Sequence, residues 1–235
     1  YNIHGQIGDG TNTQRNTPTS VDLGQDRSAV AITLGESHSC ALLDDRSLKC
    51  WGHNNEGQLG DGTTNNANSP TTVTFTPGGN DTPVAVNTGQ QHTCAVLLDE
   101  TISCWGWNDR GQLGDGTLVS QSSPTSIAIG TGVTTLSTGD RHTCAILDNG
   151  TAMCWGNNMF GQLGNGANSN SQIPVHVDSL SNVVGMVTGD HHSCAIINDG
   201  SVHCWGGNNA GQLGDGSTSS TNSPGSAIGS ITVAL

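Results

Sequence analysis

The stretch GDRHTCAILDNGTAMCWGNNMFGQLGNG, Gly139–Gly166, decides the fold, because its skeleton recurs through the chain. Its last element returns as GQLGDG at Gly57–Gly62, Gly111–Gly116 and Gly211–Gly216, and as GQIGDG at Gly5–Gly10. The copies start at positions 5, 57, 111, 161 and 211, so by subtraction they lie 52, 54, 50 and 50 residues apart. CWG stands before the last four, at Cys50, Cys104, Cys154 and Cys204, and ten residues earlier come Cys40, Cys94, Cys144 and Cys194. Two residues before these stand His38, His92, His142 and His192, each preceded by Gly-x-x at Gly35, Gly89, Gly139 and Gly189. A fixed period of this length marks an array of supersecondary units.

One unit reads as four strands. Asn182–Val187 is apolar and β-branched. His192–Ile197 and Ser201–Trp205 flank Asn198-Asp199-Gly200, a short hairpin loop whose glycine takes φ > 0; Asp148-Asn149-Gly150 does the same one unit earlier. A weaker fourth strand follows the glycine-rich loop, as at Pro174–Val177. With 34 Gly and many Ser, Thr and Asn, long helices are disfavoured. Four short strands per repeat predict an all-β fold, a β-propeller of four-stranded blades. A β-helix would use shorter coils, and a sandwich needs no such repetition.

The pattern G-x-x-H-[ST]-C-A, D-N-G, C-W-G-x-N-x-x-G-Q-L-G-D-G resembles the regulator of chromosome condensation repeat, here in a secreted, disulfide-containing form. The resemblance covers nearly the whole chain and implies a propeller, most commonly of seven blades. The chain then covers about five repeats of one domain, 1–235, with units near 1–28, 29–82, 83–132, 133–182 and 183–230, and 231–235 starting another. Tyr1 aligns with Asn157, and Ile231–Leu235 with Val133–Ser137. Seven units would need roughly 350 residues, about 115 more than these. The expectation is a segment of a longer array, since neither end reads as a distinct cap; the alternative is a five-unit ring lacking one hairpin.

The eight cysteines form four pairs of equal spacing across the hairpin turns. A three-residue loop at 148–150 sets Cys144 opposite Cys154, within disulfide reach. The expected bridges are Cys40–Cys50, Cys94–Cys104, Cys144–Cys154 and Cys194–Cys204. They imply an oxidising compartment, hence an extracellular or cell-surface location. Reduced thiols packed in the sheet are the alternative, and a His-x-Cys zinc site is a further one that lacks the usual C-x(2–4)-C spacing.

The motif histidines recur once per unit, which suits backbone or strand bonding better than a catalytic centre. His191 doubles His192 without changing that reading. Asp9, Asp61, Asp115 and Asp215, with Asn165 in the remaining copy, read as turn residues bonding local amides, because a calcium loop needs several oxygen ligands in close sequence. No nucleophile elbow, P-loop or HExxH motif is present, and no catalytic residue, cofactor or metal is expected. Trp51, Trp105, Trp155 and Trp205 read as packing residues. Trp107 falls outside the repeat, at the place of His53, Asn157 and Gly207, and with Arg110 is the candidate binding anchor. The segments Thr63–Pro70, Thr117–Pro124, Ala167–Pro174 and Ser217–Pro224 differ most between copies and mark a candidate interacting face. Asn80-Asp81-Thr82 and Asn149-Gly150-Thr151 match glycosylation sequons.

The net charge is −13, with one lysine, Lys49, and five arginines, so phosphate backbones are repelled and no nucleic-acid partner is expected. No apolar run is long enough for membrane insertion, and no charged-then-apolar leader follows Tyr1. The leading expectation is a non-catalytic extracellular or surface scaffold that binds a protein partner or self-assembles, as in a surface appendage. The alternative implied by the resemblance is a nucleotide-exchange regulator of a small GTPase, which would need a wedge-like insertion and a basic tail. The chain offers only a short insertion near Pro77–Asp81. An enzyme inhibitor or a glycan-binding module are the remaining alternatives.

Overall fold

The computed structural model describes residues 1–75, 81–130 and 132–230. Among them every regular element is a strand, in four antiparallel sheets of four. The first holds β1 (Ala29–Leu34), β2 (His38–Leu43), β3 (Leu48–Gly52) and β4 (Ala67–Thr72). The second holds β5 (Pro83–Thr88), β6 (His92–Leu97), β7 (Ile102–Gly106) and β8 (Gln121–Ser126). The third holds β9 (Val133–Thr138), β10 (His142–Leu147), β11 (Ala152–Gly156) and β12 (Ser171–His176). The fourth holds β13 (Val183–Thr188), β14 (His192–Ile197), β15 (Ser201–Gly206) and β16 (Gly229–Ser230). Each is a meander in chain order, the blade of a β-propeller. Two compact units form: Tyr1–Asp109 with Val119–Ile127, carrying the first two sheets, and Arg110–Leu118 with Ala128 onward, carrying the other two.

The hairpin loop fixes the register of the two inner strands. Gly150 takes φ +76° and returns its amide to Leu147 O at 2.9 Å, so Ile146 faces Ala152 and Cys144 faces Cys154. The same pairing holds for Cys40 with Cys50, Cys94 with Cys104 and Cys194 with Cys204, and all four pairs are bonded, their Cα atoms 4.1 Å apart.

Strand limits depart from the sequence reading where side chains carry no pattern. The first strand of the last unit is Val183–Thr188 rather than Asn182–Val187, because Asn182 sits at φ +56° in the turn before it. β12 begins at Ser171, three residues before Pro174, where the backbone first pairs with Gly156. The last sheet closes differently. Ile228 N donates to Val202 O, as Val177 N does to Ala152 O, but 228 − 177 is 51 while 202 − 152 is 50. That extra residue lies between a lone bridge from Gly206 to Thr221 and the pairing of Val202 with Gly229, where β16 begins. The insertion near Pro77–Asp81 and the sequon residue Asn80 fall largely on 76–80, outside the described residues, as does 231–235.

Apolar side chains pack between sheets within each unit. In the first, Leu42, Leu48, Leu59, Val86, Leu97 and Trp105 share one buried cluster. In the second, Ile146, Leu163, Val183, Met186 and Trp205 do the same. The glycine-rich loop of one repeat reaches the tryptophan of the next. A Cβ on Gly60 would lie 2.6 Å from Trp105 Nε1, so only glycine fits there.

Candidate functional site

Among the residues that recur, Trp105, Trp205, His38 and His142 are buried, and each bonds to a group of a neighbouring repeat. Trp105 Nε1 donates to Gln58 O at 3.0 Å, and Thr93 Oγ1 donates to the same carbonyl at 2.9 Å. With its proton so engaged, the Thr93 hydroxyl accepts from His38 Nε2–H, 3.0 Å away. The second unit repeats the chain: Trp205 Nε1 and Ser193 Oγ both reach Gln162 O at 2.9 Å, and His142 Nε2 lies 3.0 Å from Ser193 Oγ. The other ring nitrogen, Nδ1 of His38 and of His142, is buried with no hydrogen-bond partner. Burial therefore holds both histidines neutral, with pKa lowered to about 3. Gly35 and Gly139 pass so close to these rings that a Cβ would strike Nδ1 and Cε1, which explains the Gly-x-x-His spacing. Neither histidine is available for acid–base work.

The asparagine of C-W-G-x-N was read only as part of the pattern, and its role becomes visible in three dimensions. Asn158 is fully buried; its Nδ2 donates to Asn165 Oδ1, Ala167 O and Ser169 O at 3.0–3.1 Å, and its Oδ1 accepts from Leu163 N at 2.9 Å. Asn54 and Asn208 clamp their loops in the same way. Asn158→Ala is expected to lower stability by about 3 kcal/mol, since several buried backbone groups lose their partner. Urea unfolding measures this, and an unchanged midpoint would show that the clamp contributes nothing.

On this fixed frame two positions per repeat keep their backbone and change their side chain. The residue after Trp-Gly donates its amide at 2.7–2.8 Å to a carbonyl preceding the motif histidine: His53 to Ser37, Trp107 to Gln91, Asn157 to Arg141, Gly207 to His191. The residue two before the loop glutamine donates its amide to that glutamine's Oε1 at 2.8–3.0 Å: His4, Glu56, Arg110, Phe160 and Ala210. Trp107 and Arg110, singled out from sequence, occupy these two kinds of position; both are half-buried, and they belong to different compact units. Phe160 stacks on His191 with ring centroids 5.1 Å apart, beside the exposed Met159. His4 and His53 lie 4.6 Å apart. Burial lowers the His53 pKa, the charge of His4 adds to this, and Glu56 and Glu36 oppose it.

The loop carboxylates are used locally. Asp61 Oδ1 accepts from Thr63 N and Oγ1 at 2.9 and 2.8 Å, and Asp215 Oδ1 from Ser217 N at 2.8 Å. The variable segments after these loops are largely exposed, with Leu118, Val119 and Ile173 more than half so. No group of three or more metal-ligating side chains gathers among the described residues, and no helix there is long and apolar enough to cross a membrane.

Known proteins share this architecture. The ultraviolet-B receptor UVR8 of Arabidopsis thaliana is 35% identical over 102 residues, 43% of this chain and 23% of that protein. Human WBSCR16 superposes with a TM-score of 0.80 at 21% identity, covering 95% of this chain and 59% of its own. A chain of the yeast complex of Kap60 with RCC1 (Prp20) superposes at 0.75 and 19%, covering 87% and 49%. The chain thus spans less than a quarter of UVR8, and the two structures share its fold. The RCC1-like domain model matches residues 1–233, and the chain belongs to that family.

Proposed function

We propose that this chain is a non-catalytic protein-binding scaffold that works outside the cell or at its surface. The observation that carries this reading is the display geometry: identical backbone bonds hold the positions of His53, Trp107, Asn157 and Gly207, while their side chains differ. A rigid frame with varied projecting side chains suits shape-specific recognition and leaves little ordering entropy to lose on binding. Catalysis finds no support in His38 and His142, which are neutral and bonded, or in the cysteines, which are oxidised. Four disulfides favour an oxidising compartment. The net charge of −13 favours a neutral or basic protein partner over nucleic acid. Trp107 and Arg110 are the proposed anchors.

Crosslinking tests this. The oxidised chain, exposed to the extracellular fraction of its source, is expected to crosslink to a defined protein. The Trp107→Ala/Arg110→Ala variant should capture about tenfold less of it, the effect of losing an interface hot spot. Equal capture by the variant rules out these anchors. Tight binding of a nucleotide-free small GTPase by the reduced chain would favour the exchange-factor reading instead.

A further inference from the structure

The four hairpin loops carry Asp45, Asp99, Asn149 and Asp199 at one equivalent place. Each places Oδ1 on the amide two residues on, at 3.0 Å from Ser47 N, 3.2 Å from Thr101 N, 2.9 Å from Thr151 N and 2.8 Å from Ser201 N. In two of the aspartate loops the same oxygen also takes the hydroxyl of Ser47 or Thr101, at 2.6 Å. Position 149 differs. Its acid is replaced by an amide, and its turn bond uses only the oxygen, so Nδ2 makes no hydrogen bond to the described residues and points from an exposed loop. Thr151 completes Asn-Gly-Thr, and its Oγ1 is not drawn into the turn as Ser47 and Thr101 are. Beside this loop lies an open cleft of about 290 Å³, lined in part by Thr134, Ile146, Asn182, Val184 and Asn198. Its asparagines and threonine can bond sugar hydroxyls. Val184, 60% exposed, offers an apolar patch for the C–H face of a pyranose.

We propose that Asn149 is an N-glycan acceptor and that the first sugar lies against this cleft. The inference rests on the reading that the chain passes through an oxidising secretory compartment. The donor is an oligosaccharide on a lipid pyrophosphate. Asn149 Nδ2 bonds to the anomeric carbon, the bond from that carbon to the pyrophosphate oxygen breaks, the lipid pyrophosphate leaves with the electron pair, and one amide proton is lost to base. The turn tolerates the change, because the bond that shapes it uses Oδ1.

The test expresses the full chain, behind a secretion signal, in eukaryotic cells that supply the donor. Peptide mapping of both the retained and the secreted pools follows digestion with peptide N-glycosidase in heavy-oxygen water. Most molecules should carry label at Asn149, and a parallel heavy-water digest without the glycosidase should not, which separates enzymatic release from spontaneous deamidation. Asn149→Gln and Thr151→Ala should abolish it. Asn149→Asp restores the carboxylate of the sister loops and controls for folding. An unlabelled Asn149 in both pools overturns the proposal, as does label confined to Asn80. Whether the eight cysteines are oxidised is read in the same digest, so a failure of the secretory reading shows separately from a failure at Asn149.

Discussion

Reduction of the four disulfides is expected to unfold the protein at room temperature without any denaturant. Each bridge closes a loop with a sequence separation of 10. In the chain-entropy model such a loop contributes about 2–3 kcal/mol, so four contribute on the order of 10 kcal/mol. That matches the whole stability of a typical domain, about 5–15 kcal/mol. The order of loss is also set. Cys40, Cys50, Cys94, Cys104, Cys144 and Cys154 are fully buried, whereas Cys194 is half-buried and Cys204 is 5% exposed. Timed alkylation during thiol treatment should therefore open Cys194–Cys204 first, with the strand signal in circular dichroism collapsing as the others follow. A fully reduced chain that keeps its urea midpoint would refute the stapling argument.

Acid is expected to act nearly as strongly. His38 and His142 have pKa values lowered to about 3, while the unfolded chain restores an ordinary histidine value near 6.5. Between these two values the unfolded state binds more protons, so stability falls as pH falls below about 6.5 and this loss ends near pH 3. Each histidine contributes a slope of about 1.4 kcal/mol per pH unit, and the pair about twice that. His53, half-buried and also lowered, adds in the same direction with solvent screening. Asp9, Asp45, Asp99, Asp199 and Asp215 are held below their usual value chiefly by bonds from neighbouring Ser and Thr residues, and act only below pH 3.8. The midpoint of urea unfolding, measured from pH 7 to pH 4, should drop steeply. His142→Gln can still donate to Ser193 Oγ, cannot be protonated, and should remove about half the slope. A flat profile over this range contradicts the buried neutral histidines.

The inner hairpins β10–β11 and β14–β15 were legible because three constraints coincide there: a glycine turn, β-branched flanks and a symmetric cysteine pair. Cys144 and Cys154 can face each other only if the loop is Asp148-Asn149-Gly150, and it is. The outer strand was less legible. β12 is half-exposed and polar at its start, so Ser171–Ile173 shows no alternation, and its limit is set by which backbone groups Gly156 offers. The asparagine clamps were invisible for a related reason. Asn158 bonds mostly main-chain groups, and a carbonyl leaves no trace in the residue pattern. The exchange of partners at Gln58 and Gln162 is likewise a property of neighbouring repeats rather than of one. At the candidate site, sequence found Trp107 as a departure from the pattern with Arg110 near it, but could not show that both stand on backbones pinned identically in other copies.

The joint between repeats has an evolutionary consequence. A carbonyl from one repeat, a tryptophan and a hydroxyl from the next, and a histidine whose ring needs a bare glycine beside it form a coupling that is the same at a seam in each compact unit. A gene segment of one period, copied or lost whole, brings both halves of that coupling with it, so the new seam fits without redesign. The length of such a protein can therefore drift by whole repeats while its joints stay sound. Side chains such as Trp107, outside the coupling, are free to diverge in each new copy.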